Sequence, residues 1–408
     1  MKIRHIAFMT VFLFSAFRIS AQQPGCPDRL AVNYNPEAIA NDGSCRYRPA
    51  SIAPLGSLYL EAQIPETSGL IFRDNMFWTH NDNSDINLYA LDTLQGKIMK
   101  TFPLRGISNT DWEEISQDES YIYIGDFGNN SGNRTDLKVY RISGQSIAEN
   151  SPEYDSICFS YPGQTDFDAD PYDSDFDCEA FIAAGDSLYL FTKGWASNQT
   201  TLFSVAKEPG TREAGRRATL NVNGLITGAV YVEDKRIIVL TGYSNKLNPF
   251  LYLLYDFEGT DFFGGNKRKI DLLLPYHQVE AITTTTGTRF FITNEAFSYE
   301  PLIKNRQKIH LVDLRSFLDD YLGLSVPVPD TLNSFIISPI PAKEYILVQS
   351  LPELIPADYF LINMSGQIVK SGELESDTSV VNLSGLNSGI YFLRIGTEKR
   401  QAYKIVKE

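Results

Sequence analysis

The chain has 408 residues, 43% of them apolar and 21% charged, and its formal net charge is −14. This composition is typical of a globular protein with two or three domains, not of a disordered chain. The acidic balance offers no basic stripe to neutralise phosphates, which argues against a nucleic-acid-binding protein. Aromatic residues make up 12% of the chain, and Val, Ile and Thr are frequent, which favours β-structure.

Residues 1–21 predict a signal peptide. Lys2 and Arg4 precede the apolar run IAFMTVFLFSAF, and the ISA before Gln22 fits a cleavage site. The run is too short and wrongly flanked for a spanning helix, and no other long apolar run follows. We therefore expect an exported mature chain with no transmembrane span.

The next segment, residues 22–50, is rich in turn-forming residues and contains two of the four cysteines. Four cysteines in an oxidising compartment allow three pairings. Pairs that lie close in sequence are favoured, so we predict the bridges Cys26–Cys45 and Cys158–Cys178.

The stretch GCPDRLAVNYNPEAIANDGSCRY in this segment resembles a short disulfide-closed motif of Bacteroidetes surface proteins. That motif is similar to the calcium-binding loops of thrombospondin-type repeats, so the resemblance implies a Ca²⁺ site. The alternative is that the same side chains cap turns in a stapled loop. The candidate ligands are Asp28, Asn33, Asn35 and Asp42.

Residues 55–325 contain five recurring anchors: TSGLI, WEEIS, CEAFI, ITGAVY and VEAIT. Strand-like runs follow each anchor, up to four strands in a unit. A repeat of this kind indicates the blades of a β-propeller, so we predict an all-β fold with five blades. Six blades remain an alternative if the long unit between Glu113 and Glu179 contains an additional one.

The fifth unit lacks its outermost strand, while an orphan strand, SLYLEAQI at 57–64, precedes the first anchor. LYLEAQIPETSGL reads like KIDLLLPYHQVEAI, with an outer strand, a short turn and then an anchor. We predict that the N-terminal strand completes the last blade and closes the ring, which hides two unpaired edges. A short helix at 316–323 and a linker at 326–332 follow.

Residues 333–408 consist of short alternating strands separated by Gly, Asn and Ser, which predicts a small β-sandwich. The segments SPIPA, NMSGQIV and VNLSGLNSGIYFLRI and the basic end at Lys404 and Lys407 resemble the C-terminal sorting domain of the type 9 secretion system. The resemblance implies the type 9 secretion machinery as a partner. It also implies a protein that is secreted or attached to the outer-membrane surface.

The start of each innermost propeller strand faces the central channel. Glu113, Glu179 and Glu280 should therefore converge, with Ser68 and Thr227 in the other two positions of the ring. Three carboxylates in a narrow channel repel each other unless a cation offsets their charge, so Ca²⁺ or another divalent cation is the candidate cofactor. The alternative is that these carboxylates hold waters or backbone N–H groups.

Further polar residues follow the second strand of a blade and should cluster on the same face. Together with the anchors they resemble an uncharacterised group of secreted bacterial propellers with NDSG, DWED, GD-x-GDN and DAEA motifs, and distantly the esterase-like phytase propellers. The acidic stretch FDADPYDSDF lacks the Gly and the terminal Glu of a calcium loop and is predicted to be a solvated connection. The candidate binding residues are His80, Asn81, Asp82, Asp126, Asn130, Lys193 and Glu295.

Two functions fit these patterns. The first is a monomeric surface binding or scaffold module with an unidentified extracellular ligand. The alternative is a metal-dependent hydrolase of a phosphoester, ester or lactone, in which the ring carboxylates hold the ion and His80 or His277 moves protons. The sequence contains no HExxH, P-loop or GxSxG motif.

Overall fold

The computed structural model describes residues 23–149, 151–300, 303–323, 335–349, 355–376, 378–396 and 401–408. The predicted signal peptide and the predicted linker lie outside the described residues. The chain divides into two compact units, Met1–Leu324 and Ser325–Glu408. None of the helices among the described residues is long and apolar enough to cross a membrane.

Five antiparallel sheets, here called blades 1 to 5, build the first unit. The strands of each blade are named below in order from the innermost to the outermost. Blade 1 contains Thr67–Arg73, Met76–Asn81, Asn87–Leu91 and Ile98–Pro103. Blade 2 contains Trp112–Gln117, Tyr121–Asp126, Lys138–Ser143 and Tyr154–Ser160. Blade 3 contains Cys178–Ala184, Ser187–Thr192, Gln199–Ala206 and Gly215–Asn221. Blade 4 contains Leu225–Val232, Ile237–Tyr243, Pro249–Tyr255 and Asn266–Leu272. Blade 5 contains Val279–Thr284, Arg289–Asn294, Lys308–Asp313 and Gly56–Tyr59.

The innermost strands of consecutive blades pack side by side, and the innermost strand of blade 5 packs against that of blade 1. The ring is therefore closed, which confirms the predicted five-bladed β-propeller. Gly56–Tyr59 pairs antiparallel with Lys308–Asp313, with Leu58 opposite Ile309. The predicted completion of the last blade by the N-terminal strand is thus confirmed.

Two short strands that the sequence did not predict extend the outer edges of two blades. Gly210–Glu213 pairs in parallel with Tyr154–Ser160 of blade 2. Ser51–Ile52 pairs in parallel with Asn266–Leu272 of blade 4. Each addition covers backbone groups that an edge strand would leave unpaired.

The remaining elements of this unit are short. The helix predicted at 316–323 spans only Arg315–Leu318. The other elements are the strand pairs Pro24–Gly25 with Ala40–Asn41 and Phe297–Tyr299 with Ile303–Asn305, the helix Gly144–Ala148 and the 3-10 helix Glu233–Lys235.

The segment around the Cys26–Cys45 disulfide packs on blade 4. The carboxylate of Asp28, which is 8% exposed, accepts hydrogen bonds of 2.7 Å from the hydroxyls of Tyr47 and Tyr255. Asn41 donates to the Asp256 carboxylate at 2.7 Å. The stapled segment is therefore joined to the propeller through buried polar contacts.

Apolar cores lie between the faces of neighbouring blades. Phe127 of blade 2 and Phe181 of blade 3 meet edge to face with their ring centroids 5.4 Å apart. Both rings are fully buried, and burying such a side chain contributes about 1.5–3 kcal/mol to stability. These cores hold the innermost strands of neighbouring blades in place around the channel.

The predicted Cys158–Cys178 bridge is wrong, because both cysteines are free thiols. Cys158 lies in the outermost strand of blade 2, where Ile157 and Phe159 point into the core shared with blade 3. Successive side chains alternate between the two faces of a strand, so Cys158 points to the opposite face. Cys178 is buried within that shared core.

The described residues of the second unit form two sheets. Ile336–Ser338, Tyr345–Gln349 and Thr378–Asn382 form one, and Ile368–Leu374, Ala357–Asn363, Gly389–Ile395 and Gln401–Lys407 form the other. Leu361, Leu393 and Ile405 are fully buried in a shared apolar core. The predicted small β-sandwich is confirmed.

Candidate functional site

Each innermost strand of the propeller contains one more residue near its start than the second strand that pairs with it. Such a β-bulge takes a residue out of strict alternation and redirects its side chain. At blade 3 the bulge places Cys178 and Phe181 in one core while Ala180 faces another. The bulges coincide with the five anchors of the sequence repeat, at Ser68, Glu113, Glu179, Thr227 and Glu280.

Four of the five anchors line one pocket of about 300 Å³, here called the channel pocket. Thr227 is the exception, since its hydroxyl donates a 2.5 Å hydrogen bond to the Val279 carbonyl. All five blades contribute to the wall. The lining residues are Ser68, Asp82, Asp111, Glu113, Asn130, Tyr172, Glu179, Lys193, Trp195, Tyr243, Gln278, Glu280 and Glu295.

Six of these residues carry carboxyl groups and one, Lys193, carries an ammonium. The Lys193 Nζ lies 2.5 Å from Oε1 of Glu179, and both side chains are buried. The same ammonium lies 4.6 Å from the centroid of the Trp195 ring and 5.5 Å from that of Tyr243. Lys193 thus supplies one positive charge to a pocket that contains many more acidic groups.

Two of the buried ring carboxylates have no partner among the described residues. Glu113 is 5% exposed and Glu280 is 8% exposed, yet neither accepts a hydrogen bond nor forms an ion pair. A buried carboxylate without such a partner is costly in free energy. These two groups therefore have unused capacity for a positively charged or hydrogen-bond-donating group in the channel pocket.

Burial is the main cause of the raised pKa values in the pocket. It raises the pKa of Asp82 to about 7 and that of Glu295 to about 7, and nearby carboxylates add to the effect. It raises the pKa of Glu179 to about 8 despite the Lys193 ammonium. The pKa values of Glu113 and Glu280 also lie well above the ordinary range because of burial and neighbouring carboxylates. Several of these groups therefore titrate near neutral pH.

The channel is bridged by Glu114, which follows the anchor Glu113. Its Oε1 accepts hydrogen bonds from the backbone N–H of Leu70 at 3.2 Å and of Ile115 at 3.0 Å. Its Oε2 accepts from the N–H of Ala229 at 2.9 Å. Because this carboxylate joins blades 1, 2 and 4, we infer that it fills the axis and that the channel pocket opens on one rim.

Of the candidate binding residues, Asp82, Asn130, Lys193 and Glu295 line the channel pocket. Three other candidate binding residues lie elsewhere. His80 is fully buried with its ring edge against Trp112, and burial lowers its pKa to about 4. Asn81 donates to the Gln63 carbonyl and to Asp85. Asp126 pairs with Arg134 at 2.9 Å and with Lys138 at 3.3 Å. These three side chains support the loops behind the pocket.

Several residues in and behind the pocket wall were not predicted from the sequence. Tyr172 comes from the acid-rich connection that was predicted to be solvated, and its ring packs against Trp195 at 4.7 Å. Asp177, at the end of the same connection, does not line the pocket but holds one of its wall residues: it is fully buried and accepts from the Asn129 N–H and from the indole of Trp195. Asp111 could have been found from the sequence, because it stands immediately before the WEEIS anchor. Tyr243 gave none, because it ends a strand that reads as core.

Within the described residues, no group of three or more His, Cys, Asp or Glu side chains is arranged to hold a metal ion. In the N-terminal loop, Asp28 accepts from Tyr47 and from Tyr255 of blade 4, and the other three candidate ligands accept hydrogen bonds within the loop. Asn33 accepts from Arg46 N–H, Asn35 from Glu37 N–H and Asp42 from Ser44 N–H. This is the turn-capping alternative of the sequence analysis. A Ca²⁺ ion in this loop, and one shared by Glu113, Glu179 and Glu280, both stay predictions.

A larger cavity of about 470 Å³ lies among the opposite ends of the innermost strands, next to Gln117 and Ala183. Its positive groups are already paired with acidic ones: Arg141 lies 2.7 Å from Asp155 and Lys207 lies 2.9 Å from Asp118. The channel pocket is the better candidate, because its carboxylates outnumber its single ammonium.

Residues 337–408 match the family described as "Secretion system C-terminal sorting domain". The protein is therefore secreted or attached to the outer-membrane surface. The sorting domain implies an interaction with the type 9 secretion machinery.

No curated protein matches the chain. One solved structure to which the chain is similar is PorZ, a bacterial surface component of the type-IX secretion system of Porphyromonas gingivalis. It is 10% identical, the match covers 84% of this chain and 45% of that chain, and the TM-score is 0.30. The extracellular domain of the putative hybrid two component system BT4673 from B. thetaiotaomicron is 12% identical over 87% of this chain and 60% of that chain, with a TM-score of 0.31. The chain thus spans less than two thirds of either structure.

Proposed function

We propose that the protein is a surface binding module and that its channel pocket binds a positively charged ligand. The sorting domain places the propeller outside the cell or on its surface. The single observation that supports the binding role most strongly is the pair Glu113 and Glu280. Both carboxylates are at least nine-tenths buried, line the pocket and have no partner among the described residues.

The excess of acidic groups in the pocket indicates that the ligand carries a positive charge. Lys193 pairs with Glu179, and the other five carboxyl groups of the pocket form no ion pair with any of the described residues. Burial is the main cause of their raised pKa values, and mutual repulsion adds to it. A positive group entering the pocket would offset that repulsion. An anionic ligand would increase it.

The hydrolase alternative lacks a comparable observation. None of the three described histidines lines the channel pocket. His277 packs against His310, and His310 bonds to Ser57 and Asn294 at 2.7 Å each. The predicted proton-transfer role of His80 or His277 therefore has no support from their positions.

The proposal is tested by thermal unfolding with salts of different cations and anions at constant ionic strength. We expect CaCl2, n-butylammonium chloride or tetramethylammonium chloride to raise the melting temperature of the wild type, while sodium acetate does not. The double variant Glu113→Gln/Glu280→Gln should lose this response. Glu119→Gln/Glu233→Gln is the matched control, because it removes two carboxylates from the opposite cavity. A response to none of the cations, or a response to the two organic cations that persists in the pocket variant, would contradict the proposal.

A further inference from the structure

We propose that the ligand enters the channel pocket as a primary alkylammonium group, seated at Ser68 between Glu113 and Glu280. This inference rests on the proposed binding function and narrows it to one chemical class. The shared chemistry is an ammonium on an alkyl chain, as found in a free amine or in a lysine side chain.

The pocket already holds one group of this kind. The ammonium of Lys193 contacts a carboxylate, Glu179, and lies over the rings of Trp195 and Tyr243. A carboxylate combined with aromatic faces is a favourable environment for an organic cation. The pocket therefore already accommodates an ammonium on an alkyl chain. Lys193 contacts the aromatic faces, which blades 3 and 4 provide, and leaves the carboxyl groups of blades 1, 2 and 5 free.

The portion of the pocket wall that Lys193 does not contact is centred on blade 1, which is not adjacent to blade 3 in the ring. Its anchor, Ser68, is small and neutral and stands between the carboxylate anchors of its two neighbours, blades 2 and 5. Ser68 is 4% exposed, and its hydroxyl has no hydrogen-bond partner among the described residues. Ser68, Glu113 and Glu280 thus offer three unused acceptors, and an alkylammonium has three N–H donors.

The shape of the pocket favours an organic ligand over a bare metal ion. A volume of about 300 Å³ is at the lower end of the range for small-molecule sites. The rings of Tyr172 and Trp195 form an aromatic wall that can cover an alkyl chain. The carboxylates are spread around this volume, and among the described residues no three acidic, Cys or His side chains gather closely enough for a metal ion.

The inference is tested by calorimetric titration of the full mature chain with n-butylammonium, Nα-acetyl-lysine amide, tetramethylammonium and Ca²⁺. We expect the two alkylammonium probes to bind at least about tenfold more tightly than the other two. Ser68→Val should weaken that binding about tenfold or more, because it fills the seat and removes an acceptor. Ser120→Val, in the opposite cavity, should leave it unchanged. Glu280→Gln provides a second test if Ser68→Val lowers the yield of folded protein.

The outcomes separate this inference from the proposed function. Tighter binding of the lysine amide would indicate that the alkylammonium belongs to a lysine side chain. Equal or tighter binding of n-butylammonium would indicate a free amine. Both results would support an alkylammonium ligand. Binding of Ca²⁺ or tetramethylammonium that is as tight and depends on Glu280 would overturn the alkylammonium and leave the proposed function standing. No binding by any of the four probes would overturn both.

Discussion

Lys193 lies with its ammonium 2.5 Å from the carboxylate of Glu179, at the point where the sequence predicted an exogenous cation. Burial alone would lower the pKa of Lys193, but the neighbouring Glu179, Tyr243 and Glu280 outweigh burial and raise it. The ammonium therefore keeps its charge inside the pocket. The propeller supplies one cation of its own, and the carboxylates of the other blades remain available to a ligand.

Replacing Lys193 with Met should destabilise the protein by about 3–5 kcal/mol at pH 8, because it leaves buried carboxylates without their cation. The loss should shrink towards pH 5, where those groups take up protons. Urea unfolding at the two pH values measures it. Lys207→Met is the matched control, since its partly exposed pair with Asp118 should contribute at most about 1 kcal/mol. Equal losses for the two variants would show that Lys193 has no special role.

The raised pKa values predict how stability depends on pH. The folded protein holds protons on Asp82 and Glu295 up to a pKa of about 7, whereas the unfolded chain loses them near the ordinary values of 3.8 and 4.5. Their contribution to stability is therefore fully present when the pH lies below the ordinary pKa values of 3.8 and 4.5. It is lost as the pH rises through about 7. The fall should be smaller in Asp82→Asn/Glu295→Gln than in the wild type, as measured by the free energy of unfolding between pH 5 and pH 8. Parallel pH profiles would contradict these pKa assignments.

The propeller could be predicted because its signal is periodic. Each anchor starts an innermost strand, and the similarity of LYLEAQI to KIDLLLP was enough to place residues 57–64 at the edge of the last blade. The structure adds the reason for the anchor itself, since a β-bulge at each blade redirects one side chain towards the channel. The repeated sequence motif therefore corresponds to a repeated backbone geometry.

The wall of the pocket was predicted less completely, because part of it comes from segments without periodicity. Tyr172 lies in an irregular connection, and its position depends on contacts such as its N–H donating to the Asn130 carbonyl. The pairing of Lys193 with Glu179 depends on how strands 178–184 and 187–192 align after the bulge, which no local pattern specifies. The Cys158–Cys178 bridge, in contrast, was predicted but does not form, because closeness in sequence did not place the two cysteines on the same face.

Peptide mapping without reduction should find the Cys26–Cys45 bridge and two free thiols. Cys158 is partly exposed and should react with a thiol reagent in the native protein, whereas the fully buried Cys178 should react only after unfolding. Alkylation followed by mass spectrometry distinguishes them. Recovery of a Cys158–Cys178 peptide would show that the arrangement of blades 2 and 3 described above is wrong.

Deleting residues 333–408 should keep the protein in the periplasm, because the sorting domain is the part that the type 9 machinery recognises. Fractionation of cells expressing the truncated and full-length chains measures this. The propeller has its own apolar cores, so the truncated protein should still fold, and protease resistance of the periplasmic material checks that. Normal surface display of the truncated chain would contradict a sorting role for this region.

The central claim is that the channel pocket binds a positive group through carboxyl groups that are partly protonated at neutral pH. The most direct measurement is the number of protons released when n-butylammonium binds at pH 7, obtained from calorimetric titrations in buffers of low and high ionisation enthalpy. Because a bound cation lowers the raised pKa values, we predict net proton release by the wild type and a smaller release by Glu113→Gln/Glu280→Gln. A binding heat that does not depend on the buffer, or the same release in both proteins, would contradict the claim.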